Sequence, residues 1–420
     1  MCAAVPPFET YGERLPASAR RHTPYLKLKC VGLACFALVL LLPGMQALFR
    51  PFPQAHINGM APTSGLPRPT LSGILSEKFQ KSVDAWCTRG NGLWPSLVQM
   101  SNQIYYSVFG QISGSYNPSV LVGKEGIFFQ PMYLRSFNRS KSFDHDAVRK
   151  AAKRLGTLEQ ALAKRNIPLI TVISPNQIAL YPERVPAAFV DPSRLSRKNS
   201  YEVMRPQLDK YGVTVLDMFQ YFDQHKGDYG IDLFEPTGSH WNEVASCETT
   251  QRIVQVLGDK LKQPLPYIPC RPYTMQNPPP EPETDLVQIA NLLFPERTFR
   301  PAPVINEPPV PVAGGNFKPK VLLVGSSFLF ALQDRLERAH ITERSPLFFY
   351  FKQRRERSRD LFQRLRTDRL DFEKDILSYD AIVLEVNQAS ASAVGYGFVE
   401  YALREFSRLR DRARTVAHEK

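Results

Sequence analysis

The stretch Lys320-Val321-Leu322-Leu323-Val324-Gly325-Ser326-Ser327-Phe328 decides the fold class. Its run of consecutive apolar residues, with no polar residue alternating, reads as a strand buried on both faces, the habit of a parallel sheet. The run breaks at Gly325, and apolar residues at helical spacing follow from about position 328 to 338. A buried strand turning sharply into a helix places a hydroxyl, here that of Ser327, beside helix N-terminal N–H groups that can hold an oxyanion. The plainer alternative is a polar cap at a strand-to-helix turn.

Comparable apolar runs stand at 168–173, 213–216, 347–351 and 381–386. Helical spacing marks 93–109, 144–165, 242–261 and 398–410, with a basic helix expected over 356–377. A turn at 123–126 separates two short strand-like runs, 120–122 and 127–129. Helices alternating with continuous apolar strands predict an α/β fold, a mostly parallel sheet covered on both faces.

Ahead of the serine motif lies Thr237-Gly238-Ser239-His240-Trp241-Asn242. It offers the imidazole that a serine needs as general base, so the pair points to ester chemistry. The rival reading for His240-Trp241 is a structural histidine beside a core aromatic. Between the two motifs, 263–311 is proline-dense, with Pro278-Pro279-Pro280-Glu281-Pro282 at its heart. An insertion of that length inside a compact domain is usually functional or disordered. Its apolar patch from Thr284 to Leu293 predicts a short helix docking on the core, either as a lid or as plain wrapping.

The N-terminal part carries Cys30 to Phe49, an apolar run of about 20 residues without a charge, long enough for a bilayer. Arg20, Arg21, Lys27 and Lys29 precede it, which predicts a cytoplasmic N-terminus and export of everything after Arg50. The expected organisation is a cytoplasmic tail over 1–29, a transmembrane signal-anchor over 30–49, a linker over 50–76 and a folded domain over 77–420. A cleaved signal peptide is the competing reading of the same run. Cys87, Cys247 and Cys270 would then be exported, allowing one disulfide and a leftover thiol, with either Cys87 or Cys247 partnering Cys270. No Cys-x-x-Cys or Cys/His cluster suggests a metal, and no Gly-rich fingerprint suggests a nucleotide cofactor, so neither is expected. The net charge of +13 favours anionic surroundings, but its basic residues are interspersed with acids and no nucleic-acid motif accompanies them.

Several short stretches occur in a telling order. They are Val122-Gly123-Lys124-Glu125-Gly126-Ile127-Phe128, Ser174-Pro175-Asn176-Gln177 with Tyr181-Pro182-Glu183, and Ser239-His240-Trp241-Asn242. Thr284-Asp285-Leu286, Gly325-Ser326-Ser327-Phe328 and Glu385-Val386-Asn387 complete the set. Together the chain resembles the AlgX/AlgJ-type family of bacterial exopolysaccharide O-acetyltransferases over about residues 93–406. The resemblance implies an SGNH-hydrolase-like three-layer domain whose histidine motif precedes its serine motif, a circular permutation of the usual order. It implies Ser327 as nucleophile, His240 as base and a polysaccharide as acceptor. It also implies work on the periplasmic side of the inner membrane, with acetyl groups supplied by a membrane-bound O-acyltransferase.

The family's acid stands two residues before the histidine, and here that position is Gly238. Asp232 and Glu235 lie on the same loop, and Glu235, stiffened by Pro236, is the expected substitute. Gln177 stands where the family has a lysine, and Asn387-Gln388 replaces its Glu-Arg pair. Those departures keep two alternatives open: a degenerate member that binds polysaccharide or scaffolds an export complex, and a simple acetyl esterase. Arg354, Arg355 and Arg357 could meet an anionic glycan, and Trp241 could stack on a sugar, against the plainer readings of a solvated helix start and core packing.

Overall fold

The structure is a computed structural model that describes residues 22–49, 51, 57–58, 68–86, 93–113, 119–140, 143–311 and 317–418. Cys2, Cys87 and most of the expected tail and linker lie outside them. The chain divides into two compact units, Met1–Met100 and Ser101–Lys420. In the first, the apolar run falls within a helix spanning His22–Phe49, where Leu33, Phe36 and Leu40 are exposed. Among the described residues, no helix is long and apolar enough to cross a membrane. The second unit carries the sheet.

Seven strands form that sheet: β1 (Leu169–Ser174), β2 (Val215–Asp217), β3 (Val321–Gly325), β4 (Leu347–Phe349), β5 (Gln353–Arg355), β6 (Gln363–Arg364) and β7 (Ala381–Asn387). Their spatial order is β6-β5-β4-β3-β7-β1-β2. The five strands from β4 to β2 pair in parallel, while β5 and β6 add an antiparallel edge. Every residue of β1, β3 and β7 is buried, as the unalternating apolar runs predict.

Period-two geometry sends alternate side chains of these strands into two cores. Leu322, Val324, Ile382 and Leu384 pack with Leu155, Leu158 and Leu162 of α1 (His145–Ala163), with Leu208 of α2 (Ser200–Lys210), and with Phe398. On the opposite face Val321, Leu323 and Val383 meet α3 (Glu243–Leu261) and α4 (Leu329–Arg338). The helix Phe398–His418, α5, closes the first face with Phe398 and Ala402. The result is the expected three-layer α/β arrangement.

Helix boundaries follow local chemistry. Asn242 caps α3, its side chain accepting from Ala245 N–H at 3.1 Å, and Lys262 ends it in the left-handed region at φ 55°. Cys247 on α3 is disulfide-bonded to Cys270, resolving the pairing in favour of the 247–270 alternative. The expected basic helix over 356–377 does not form. Instead the chain there makes β6, a 3₁₀ turn at Thr367–Arg369 and the short helix Phe372–Asp375, because edge pairing with β5 supplies the backbone partners a helix would have supplied.

Candidate active site

The carboxyl ends of β1, β3 and β7 lie side by side, the place where open parallel sheets bind ligands. Gly325 closes β3 because nothing larger fits: a Cβ there would stand 2.7 Å from Leu329 Cδ1 and 2.8 Å from Glu385 Oε2. Just beyond, Ser326 donates to Glu385 Oε2 from both its N–H and its hydroxyl, each at 2.7 Å. The other oxygen of Glu385 accepts from Ser174 Oγ at 2.6 Å. Glu385 is wholly buried, and burial raises its carboxyl above the usual range despite those hydrogen bonds. A network this fully satisfied rigidifies the turn that aims Ser327.

The residues that depart from the family pattern are part of the same lattice. Asn387 Nδ2 donates to Pro175 O at 2.7 Å, Asn176 Nδ2 to Gln388 Oε1 at 2.8 Å, and Gln177 Nε2 to Glu235 O at 3.2 Å. They bind loop to loop behind the serine.

Ser327 Oγ and His240 Nε2 are 2.7 Å apart. On the far side of the ring, His240 Nδ1 lies 3.2 Å from Asp285 Oδ2 and 3.0 Å from Ser239 Oγ. Ser239 ties the acid in place, donating from its N–H to Asp285 Oδ1 at 2.7 Å and from its hydroxyl to Oδ2. The network is satisfied when Nδ1 carries a proton shared toward Asp285 and Ser239, leaving the Nε2 lone pair for the Ser327 proton. Burial raises Asp285, but the hydrogen bonds and charge of His240 and the Ser239 bonds outweigh it and hold the carboxyl below its ordinary value. It stays ionised opposite the imidazole.

Glu235, the expected acid, is elsewhere. Its carboxyl accepts from Asn242 Nδ2 at 3.2 Å, and burial pushes it up to about 7. Pro236 does stiffen the loop, but the loop turns the carboxylate inward toward the α3 N-terminus. Asp232 pairs with Arg184 at 2.7 Å. The carboxylate facing the ring comes instead from the proline-dense segment, through Asp285 at the start of the short helix Asp285–Ala290.

Docking of that segment explains Gly238. Thr237 Oγ1 donates to Glu283 O at 2.8 Å, and Leu286 N–H donates to Thr237 O at 3.1 Å. A Cβ at position 238 would lie 3.1 Å from that same Glu283 oxygen. The glycine admits the backbone that delivers the carboxylate. Asp285 was visible in the sequence within Thr284-Asp285-Leu286, but no spacing rule links it to a histidine motif so far upstream.

Tyr350 is a further site residue without a sequence signal. Its hydroxyl is held near Ser327, and burial raises its pKa. Tyr350 and Phe351 both take left-handed backbone angles, φ 48° and 51°, an outlier for bulky residues of the kind that clusters at functional sites. Trp241 is buried and packs edge-on against Phe328, so it is core and not a sugar platform. A cavity of about 720 Å³ opens over Ser327, bounded on one side by His240 and the proline-dense segment and on the other by α4. Among the described residues, no cluster of three or more His, Cys, Asp or Glu could hold a metal ion.

Against known families, residues 120–340 match the model for the SGNH hydrolase-like domain of the acetyltransferase AlgX, more than half of the chain. The chain belongs to the AlgX family of SGNH hydrolase-like acetyltransferases. Solved structures similar to it include the O-acetyltransferase domain of Pseudomonas putida AlgJ, at 14% identity and TM-score 0.42, covering 66% of this chain and 93% of that one. Pseudomonas aeruginosa AlgX is similar at 14% identity and TM-score 0.38, covering 67% and 65%. Bacillus cereus PatB1 with a sulfonyl adduct shares 10% identity at TM-score 0.39, covering 61% and 94%. No curated protein sequence matches the chain significantly.

Proposed function

We propose that the chain is a polysaccharide O-acetyltransferase working through an acetyl-serine intermediate. The observation that carries this reading is the relay Ser327 Oγ to His240 Nε2 at 2.7 Å, with Asp285 against Nδ1. Ser327 Oγ attacks the acetyl carbonyl of the donor while His240 Nε2 takes its proton; that proton then leaves with the donor's alkoxide. The acetyl group stays on Ser327. A sugar hydroxyl next gives its proton to Nε2 and attacks the acetyl-serine, restoring the serine and leaving an O-acetylated sugar. Asp285 holds the ring and balances its charge in both halves. The Ser327 N–H, at the turn into α4, and the Tyr350 hydroxyl are the candidate partners for the oxyanion.

Membrane anchorage belongs to the same proposal. The uncharged run 30–49, its exposed leucines and the basic residues before it support an anchor with the domain on the periplasmic side. An acetyl supply from a membrane-bound O-acyltransferase and a permuted motif order are parts of the same proposal, in keeping with the family.

The test is labelling with a serine-directed fluorophosphonate alongside turnover of a chromogenic acetyl ester. Labelling of wild type, lost in Ser327→Ala, is the expected result. Equal behaviour of the two would overturn the catalytic reading. Adding an oligosaccharide and seeking its acetylated form by mass spectrometry distinguishes transfer from simple hydrolysis.

A further inference from the structure

From Gly90 to Gly123 the chain carries no Asp, Glu, Lys, Arg or His, in a protein that is 22% charged overall. The helix Trp94–Phe109 lies inside that run. Its part from Ser101 onward belongs to the second unit and has two apolar faces. One of them packs on the domain. Tyr106 meets Phe128 with ring centres 5.8 Å apart, and Asn102 Nδ2 donates to Ala290 O at 2.8 Å. The other face looks outward. Ile104, Tyr105, Val108 and Phe109 fall on one side at helical spacing and are exposed, Val108 and Phe109 each at 66%. Leu293 and Phe294 extend the patch: both are exposed, and the Phe294 N–H donates to Gln103 Oε1 at 3.1 Å, which ties them beside the helix.

A helix apolar all round is ordinarily covered all round. A contiguous patch of large side chains, unlike single hydrophobes scattered over a surface, marks an interaction face. Its chemistry favours lipid over protein. Protein partners recognise each other through directional hydrogen bonds as well as apolar area. Here the Gln103 amide is already engaged by Ser107 Oγ and the Phe294 N–H. The Tyr105 and Phe109 rings lie 5.4 Å apart, and Arg297 Cζ stands 4.4 Å from the Phe294 ring centre, with exposed Glu296 next to it. An uncharged aromatic and aliphatic face with an arginine passing over a ring at its edge suits the headgroup boundary of a bilayer, where a helix lies flat and needs no spanning length. The chain also brings a bilayer within reach. The uncharged run 30–49 ends about 45 positions before the helix starts, and so short a tether keeps even a weak lipid contact engaged.

We propose that the face from Ile104 to Phe109, with Leu293 and Phe294, lies in the surface of the lipid bilayer. The proposal rests on the anchorage reading for proximity and goes beyond it by orienting the domain. Asn102 holds Ala290, at the end of the helix that begins with Asp285, so the lipid contact sets the acid-bearing segment beside the membrane. For the test, the full chain is reconstituted in vesicles of phosphatidylethanolamine and phosphatidylglycerol. The photocrosslinker p-benzoylphenylalanine replaces Val108 or, as a control, exposed Lys153 on α1. Phospholipid adducts, read by mass spectrometry, are expected at position 108 and absent at position 153. Tyr105→Glu with Phe109→Glu, both at exposed positions, is expected to abolish the adduct at 108, because charges are excluded from the acyl layer. No lipid adduct at 108, adducts at both positions alike, or a covalent dimer in place of the lipid adduct overturns the proposal. An undiminished adduct in the folded double variant does so as well; if that variant does not fold, the comparison of 108 with 153 decides alone. Washing the vesicles with alkaline carbonate reads the anchor separately. Retention without an adduct at 108 removes the lipid-facing helix and leaves the anchor, while an adduct on a chain that the wash removes does the reverse.

Discussion

The sheet that carries Ser327 and the proline-dense segment that carries Asp285 arrive at one site by opposite routes. Ser327 sits just past the end of β3, a wholly buried strand flanked by parallel neighbours, on a turn clamped by Glu385. Asp285 belongs to a stretch with little regular structure, held by two backbone-directed hydrogen bonds to Thr237 and by Ser239. One half of the site is built by the core; the other is docked onto it. The chain departs from its family's acid position at Gly238, on the loop against which that segment docks, and the carboxylate facing the imidazole comes from the segment instead.

The largest effect should come from breaking the docked half. Asp285→Asn keeps the shape but not the charge, and should lower acetyl-ester turnover by about 10⁴-fold, the loss seen when a triad acid is neutralised. Glu235→Gln in the same assay should stay within a few-fold of wild type. Were those two results exchanged, the assignment of the acid would be wrong. Restoring the family pattern with Gly238→Asp in the Asp285→Asn background should not recover activity. The new side chain would have to displace the Glu283 backbone, whose oxygen lies 3.1 Å from the Cβ position. Recovery to within about tenfold of wild type would show that the two acid positions are interchangeable.

A smaller effect concerns how the segment is tethered. The Cys247–Cys270 disulfide, spanning 23 positions, joins α3 to the start of the proline-dense stretch. Replacing both cysteines by serine should cost about 3 kcal/mol of stability, read from chemical denaturation, by the loop-entropy argument. The smallest separates charge from catalysis. Burial lifts Glu235 to about 7, so the folded protein holds a proton that the unfolded chain has released. Stability contributed at low pH is therefore lost as pH rises from the ordinary glutamate range toward 7. Glu235→Gln should melt like wild type near pH 4 and be more stable at pH 8 by on the order of 2 kcal/mol. Thermal unfolding at the two pH values checks it, and a gap of equal size at both would refute the burial argument.

Much of the sheet half was readable along the chain. Unalternating runs of Val, Ile and Leu announced β1, β3 and β7, and Gly325-Ser326-Ser327 announced the turn, because strand burial and the strand-to-helix break are written in neighbouring residues. His240 was readable by the company it keeps. Glu235 is the exception: it stands close to His240 in sequence, yet the loop points its carboxyl at Asn242. The expected helix over 356–377 failed similarly, since its charges and spacing suit a helix while edge pairing with β5 decided otherwise. Arg355, there read as a solvated helix start, is buried on that same edge.

The sequence alone determined the α/β layering, the Ser–His pair and the membership these imply, since each follows from local periodicity or from short motifs in order. Only the tertiary structure decided which carboxylate faces the imidazole. Ser239 and Asp285 are 46 positions apart, and their meeting depends on the docking of a whole segment against a glycine that leaves it room. No local pattern encodes such a contact; it exists once the packed core supplies the surface on which the segment can lie.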